Sequence, residues 1–114
     1  MQREPDQVRP EIPPGTLIML VLKTLSQGPS HGYAIAKRIG EMSDDVLQVE
    51  EGSLYPALQR MLLKGWVTAE WVQAGPKRRT RVYHLTPAGR KQLQTEVSEF
   101  SRVFAAIARV VQPA

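Results

Sequence analysis

The chain has 114 residues and not one cysteine. Disulfides, thiolate metal sites and thiol nucleophiles are therefore all excluded. Histidine is nearly as scarce, and His31 and His84 do not form the helical i, i+4 pair that binds metal. No apolar run reaches membrane-spanning length, because the stretch from Leu17 to Leu22 stops at Lys23. The opening residues Met1-Gln2-Arg3-Glu4-Pro5-Asp6 lack the apolar region of a signal peptide. A glycine-rich phosphate loop and a nucleophile–base constellation are also missing. These absences remove the common enzyme and cofactor classes, and the expectation is a soluble, cytoplasmic, non-enzymatic protein without metal or cofactor.

What is present fits a single small domain with an appendage. Hydrophobic residues make up 42% of the chain, enough to furnish a core, and the net charge of +4 hints at an anionic partner. The charge is unevenly spread. No acidic residue lies between Glu70 and Glu96, whereas Lys77, Arg78, Arg79, Arg81, Arg90 and Lys91 all do.

Residues 1–14 carry Pro5, Pro10, Pro13 and Pro14 among charges, which predicts a flexible tail. A first helix is expected from Thr16 to about Ser26, apolar around more than one face and so buried on two sides. Gln27-Gly28-Pro29 breaks the chain. Ser30 is then placed to cap a second helix, His31 to about Met42, whose buried stripe would be Ile35, Ile39 and Met42. Lys37, Arg38 and Glu41 point away. Leu47 and Val49 alternate with polar residues as a short strand would.

The most informative stretch follows. Ser53 is placed to cap a third helix with Pro56 in its first turn. Leu54, Leu58, Met61 and Leu62 recur at helical spacing as one apolar stripe, and Gly65 ends the helix. Winding at 100° per residue turns Ser53, Pro56, Gln59 and Arg60 to the opposite side. A short amphipathic helix with small and polar residues outward is what the major groove admits. Two period-2 runs come next, Val67–Val72 and Arg81–Leu85, and between them the turn-rich residues 73–79 predict a β-hairpin with a long basic loop at its tip. Trp66 and Trp71 are expected in the core and at the base of the hairpin.

Thr86-Pro87 starts a last helix, with a capping hydroxyl followed by proline. Leu93, Val97, Phe100, Phe104, Ile107 and Val111 follow one another at steps of 4, 3, 4, 3 and 4, a heptad seam. Such a helix would run ~40 Å, longer than so small a domain covers, and calls for another chain. Leu17, Ile18 and Val21 of the first helix are its expected counterparts across a homodimer.

Helix, helix–turn–helix and basic hairpin, in that order, describe a mainly α fold with a small β-hairpin: a winged helix–turn–helix over residues 15–86, with a C-terminal dimerisation helix over 87–114. At this point the chain resembles the PadR-like transcriptional regulators. The resemblance rests on Pro14-Gly15-Thr16-Leu17, on Gly28-Pro29-Ser30-His31-Gly32-Tyr33-Ala34-Ile35, on Gly52-Ser53-Leu54-Tyr55-Pro56-Ala57-Leu58, on Lys64-Gly65-Trp66-Val67 and on Tyr83-His84-Leu85-Thr86-Pro87-Ala88-Gly89. Ile18 departs from the acidic residue of the family pattern and makes the first helix more apolar. The resemblance implies a homodimeric repressor on a palindromic operator, in the short subclass with a single C-terminal helix. It also leaves room for release by an unidentified small-molecule effector.

The residues expected on double-stranded DNA are Ser53, Tyr55, Pro56, Gln59 and Arg60 of the third helix. His31, Gly32, Tyr33, Lys37 and Arg38 join them from the second, and Lys77, Arg78, Arg79 and Arg81 from the hairpin. Gln59 or Arg60 can reach a base edge, and the hairpin cations suit phosphates or a minor groove. Glu50 and Glu51 favour the helix dipole and take no binding role. A protein–protein adaptor on the same fold is the competing expectation, and the basic face speaks against it.

Overall fold

The computed structural model describes residues 12–13 and 15–113. The tail expected over residues 1–14 thus lies almost wholly outside the described residues. Seven elements follow: α1 (Leu17–Leu25), β1 (Ser30–His31), α2 (Gly32–Met42), α3 (Glu51–Leu63), β2 (Val67–Gly75), β3 (Arg78–Leu85) and α4 (Pro87–Val111). The three strands form one antiparallel sheet in the order β1-β3-β2.

Helix α1 is apolar nearly all round because its own chain surrounds it. It touches α2, α3, β3 and α4, and Met19, Val21, Leu22, Thr24 and Leu25 are buried. The second face that the sequence assigns to a partner is therefore largely covered from within. Leu22 and Val21 join Ile35 of α2, Leu54, Leu58 and Met61 of α3 and Val67 of β2 in the core. Burying each such side chain stabilises the fold by about 1.5–3 kcal/mol. Thr24 is fully buried, and its hydroxyl is satisfied by the Leu20 carbonyl at 2.9 Å.

The helix boundaries depart from expectation in two places. Ser30 does not cap α2; it pairs with Tyr83, and His31 with Val82, so both belong to a strand. His31 is the cap instead, its extended backbone letting Nδ1 accept the Ala34 N–H at 3.3 Å. Helix α3 begins at Glu51, two residues before Ser53, with Glu50 extended and its carbonyl receiving the Ser53 and Leu54 N–H groups. Ser53 is therefore helical rather than a cap, and Pro56 lies inside the helix, where it removes the donor that would pair with the Gly52 carbonyl.

Beyond α2, Asp44 and Asp45 both take left-handed backbone, at φ 53° and 64°. Asp45 donates its N–H to the Gly40 carbonyl at 2.8 Å and Asp44 to Glu41 at 3.2 Å, a Schellman closure with aspartate where glycine usually stands. Met42 is left half-exposed at this bend rather than buried. Leu47 and Val49 form no strand, but both pack half-buried against the core.

The junction between α3 and α4 is tight. Gly65, at φ 77°, closes α3, with the Trp66 N–H on the Met61 carbonyl at 3.0 Å and the Gly65 N–H on Leu62 at 3.1 Å. Thr86 caps α4 by accepting the Gly89 N–H at 3.0 Å, and donates its hydroxyl to the Gly65 carbonyl at 2.7 Å. Gly89 sits so close to the Trp66 carbonyl that a Cβ there would stand 2.0 Å from its oxygen. The hairpin is also shorter at its tip than expected. Gly75 pairs with Arg78, so only Pro76 and Lys77 turn the chain, and a bulge between Gln73 and Gly75 takes up the odd residue.

Candidate nucleic-acid interface

Helix α3 presents Ser53, Tyr55, Pro56, Gln59 and Arg60 to solvent, while Leu54, Ala57, Leu58 and Met61 anchor its other side. The four-residue spacing of the apolar stripe produces this division directly. Tyr55 does double duty. Its ring lies over Gly32, where a Cβ would be 2.6 Å from the phenol oxygen, yet the residue remains 44% exposed. Partial burial, the Glu51 carboxylate and Tyr83 push its hydroxyl pKa above the ordinary 10.0. The close approach at Gly32 is thus occupied by a neighbouring helix of the same chain.

At the start of α2 the His31 and Tyr33 rings stack at 6.5 Å with 10° between planes, and Tyr33 is largely exposed. Lys37 is exposed as expected. Arg38 differs, because its guanidinium donates to the Gln27 side chain and is drawn toward the α1–β1 connection.

Register decides the wing, the hairpin β2–β3. Val67/Leu85, Ala69/Tyr83, Trp71/Arg81 and Gln73/Arg79 face each other across the strands and share one side of the sheet. The inner part of that side is core. Its outer part is a stack: the Arg79 guanidinium lies 5.3 Å from the Trp71 ring, and Arg81 lies 5.7 Å from Trp71 and 5.9 Å from Tyr83. Trp71 is 58% exposed, out along the wing rather than at its base, while Trp66 packs half-buried against the core. On the opposite side His84 and Glu70 pair at 2.7 Å. Lys77, Arg78 and Arg79 are exposed and Arg81 is half-buried; none of the four is in an ion pair among the described residues.

These elements meet at one cleft of about 350 Å³, lined by His31, Gly32, Tyr33, Tyr55, Arg78, Thr80, Arg81 and Tyr83 among others. Thr80 and Tyr83 were not singled out from sequence; the pairing Trp71↔Arg81 fixes both, and only the length of the turn could have revealed it. Among the described residues no carboxylate lines the cleft. Among the described residues no group of three or more His, Cys, Asp or Glu could hold a metal ion, and no helix is long and apolar enough to cross a membrane.

A second surface lies on α4. Val97, Phe100, Phe104, Ile107 and Val111 are exposed, and Phe100 stacks on Phe104 at 5.8 Å. Val103 and Val110, off the heptad seam, are exposed with them. Val21 and Leu93 are corrections. Both are buried in the chain's own core, Val21 at 0% and Leu93 at 9% exposure, and so are spent before any partner arrives. Leu17 and Ile18 pack half-buried at the edge of that core.

A three-helix core carrying an exposed helix, flanked by a two-stranded wing and an added short strand, defines a winged helix–turn–helix protein. The family model for the transcriptional regulator PadR-like family matches residues 21–95. The chain belongs to this family. An uncharacterized protein of a Streptomyces fradiae transposon is 41% identical over 85 residues, covering 75% of this chain but 23% of that protein; the chain thus spans about a quarter of that relative's length. A transcriptional regulator from Clostridium thermocellum superposes with a TM-score of 0.81 at 26% identity, over 86% of this chain and 95% of that one. Bacillus subtilis PadR, solved in complex with operator DNA, superposes with a TM-score of 0.68 at 25% identity, over 75% of this chain and 48% of that one.

Proposed function

We propose that this chain is a homodimeric, sequence-specific repressor that reads a palindromic DNA operator with α3 and grips the flanking backbone with its wing. The observation that carries the reading is the acid-free cleft joining His31 and Tyr33, Tyr55, and Arg78 and Arg81, because a phosphate backbone needs several donors and no competing carboxylate. Gln59 and Arg60 are the base-reading candidates, being the long polar side chains on the exposed face of α3. Homodimerisation would cover the exposed Phe100, Phe104 and Ile107 of α4, and a small molecule bound near that seam would act by favouring one dimer geometry over another.

Fluorescence anisotropy tests this with DNA from upstream of the protein's own gene, competed by excess random DNA. Binding that survives the competitor is expected. Binding that falls to the level of random DNA overturns sequence-specific recognition of that promoter and leaves a basic surface, whereas none at low salt leaves protein–protein contact as the use of the fold.

A further inference from the structure

Arg79, Trp71, Arg81 and Tyr83 form a continuous ladder on one side of the wing, with guanidinium-to-ring separations of 5.3, 5.7 and 5.9 Å. Three features set it apart from a solvated charge run. Arg81 lies between two rings, and its Nε is buried with no hydrogen-bond partner among the described residues. Among the described residues neither arginine is neutralised: the carboxylate on the hairpin, Glu70, faces the opposite side and is taken by His84. Finally, Trp71 is more than half exposed, so it contributes little to the core and its position calls for another explanation.

We propose that Trp71 is a positioning residue for DNA binding. Its indole holds Arg79 and Arg81 extended and charged along the wing before DNA arrives. A free arginine loses rotamer freedom when it docks on a phosphate, and a stacked one has lost much of it already. The stack also leaves the exposed edge of the Arg79 guanidinium, where its N–H groups point, open to an anion. The wing thereby meets the backbone as a preset pair of cations instead of two mobile chains. This inference rests on the DNA-binding function proposed above.

The test compares wild type, Trp71→Ala, Trp71→Phe and the double variant Arg79→Ala/Arg81→Ala on one duplex across a salt series. Trp71→Ala is expected to weaken binding about tenfold, since two side chains must now be ordered on docking. Its salt dependence should match wild type, because both charges remain. Trp71→Phe should recover to within about threefold of wild type, a phenyl ring being a weaker but competent platform. The double arginine variant should instead lower the salt slope by about one per arginine.

Wild-type affinity in Trp71→Ala overturns the proposal, and so does a loss that Trp71→Phe fails to restore, which would make the indole itself a DNA contact. A Trp71→Ala protein whose salt slope falls with its affinity also overturns it, as the whole wing would then have been displaced. Absence of DNA binding in the wild type is a different result, since it removes the function and the positioning role together. The ladder has its own check without DNA. With Trp66→Phe leaving Trp71 as the sole tryptophan, removing both arginines should increase acrylamide quenching of its fluorescence, and unchanged quenching overturns the stack.

Discussion

One residue carries more of the fold than its size implies. Gly89 opens α4 against the backbone of Trp66, and a methyl group there meets a carbonyl oxygen at 2.0 Å, not a side chain that can swing away. Gly89→Ala should cost about 3 kcal/mol, the upper end for overpacking, and lower Tm by about 10 °C or more for a domain of this size; thermal unfolding followed by circular dichroism measures it. Asp44 is the opposite case. Its φ of 53° has no side-chain hydrogen bond to justify it among those described, so Asp44→Gly should stabilise by roughly 0.5–1 kcal/mol. Chemical denaturation with an unchanged m-value would bear that out, and a loss of stability would overturn this reading of Asp44.

Among the elements, those with internal periodicity were legible and those made by tertiary pairing were not. The stripe of Leu54, Leu58 and Met61 announces α3 and its exposed face without help from the rest of the chain. Its start was misread because Ser53 and Pro56 both imitate initiation signals, while the true start is set by extended Glu50. Strand β1 has two residues and no pattern of its own; it exists because β3 offers a free edge to Ser30 and His31. The Trp71 ladder was invisible for a related reason. Reading residues 73–79 as loop leaves Arg79 unpaired, whereas a turn of Pro76 and Lys77 aligns Gln73 with Arg79 and Trp71 with Arg81.

For the wing as an element, Arg78→Ala/Arg79→Ala should weaken binding to specific and random DNA alike. It should also reduce the slope of log K against log salt by about one to two. Equal affinity at two salt concentrations would remove the wing from the interface.

At the scale of the whole molecule, the radius of gyration is 16.4 Å, against about 13 Å for a compact domain of this length. The excess reflects a 25-residue α4 whose first turns pack on α1 while Phe104, Ile107, Val110 and Val111 stay uncovered. Phe104→Glu should therefore leave the stability of the single chain almost unchanged and shift a dimer to monomer in sedimentation velocity. Operator affinity should fall on the order of a hundredfold, as two linked half-sites about 34 Å apart become independent. A variant that still sediments as a dimer would place the self-association elsewhere.

The Thr86 hydroxyl, accepting from Gly89 and donating to Gly65, joins the end of α3 to the start of α4. Gly89 packs directly against the Trp66 carbonyl at the same joint. Helices α3 and α4 are thereby joined through Gly65, Trp66 and Thr86. If two chains pair on DNA as proposed, a twist applied where their α4 helices cross would reach the two α3 helices as a change of pitch between them, and DNA, whose grooves recur at a fixed interval, is intolerant of such a change.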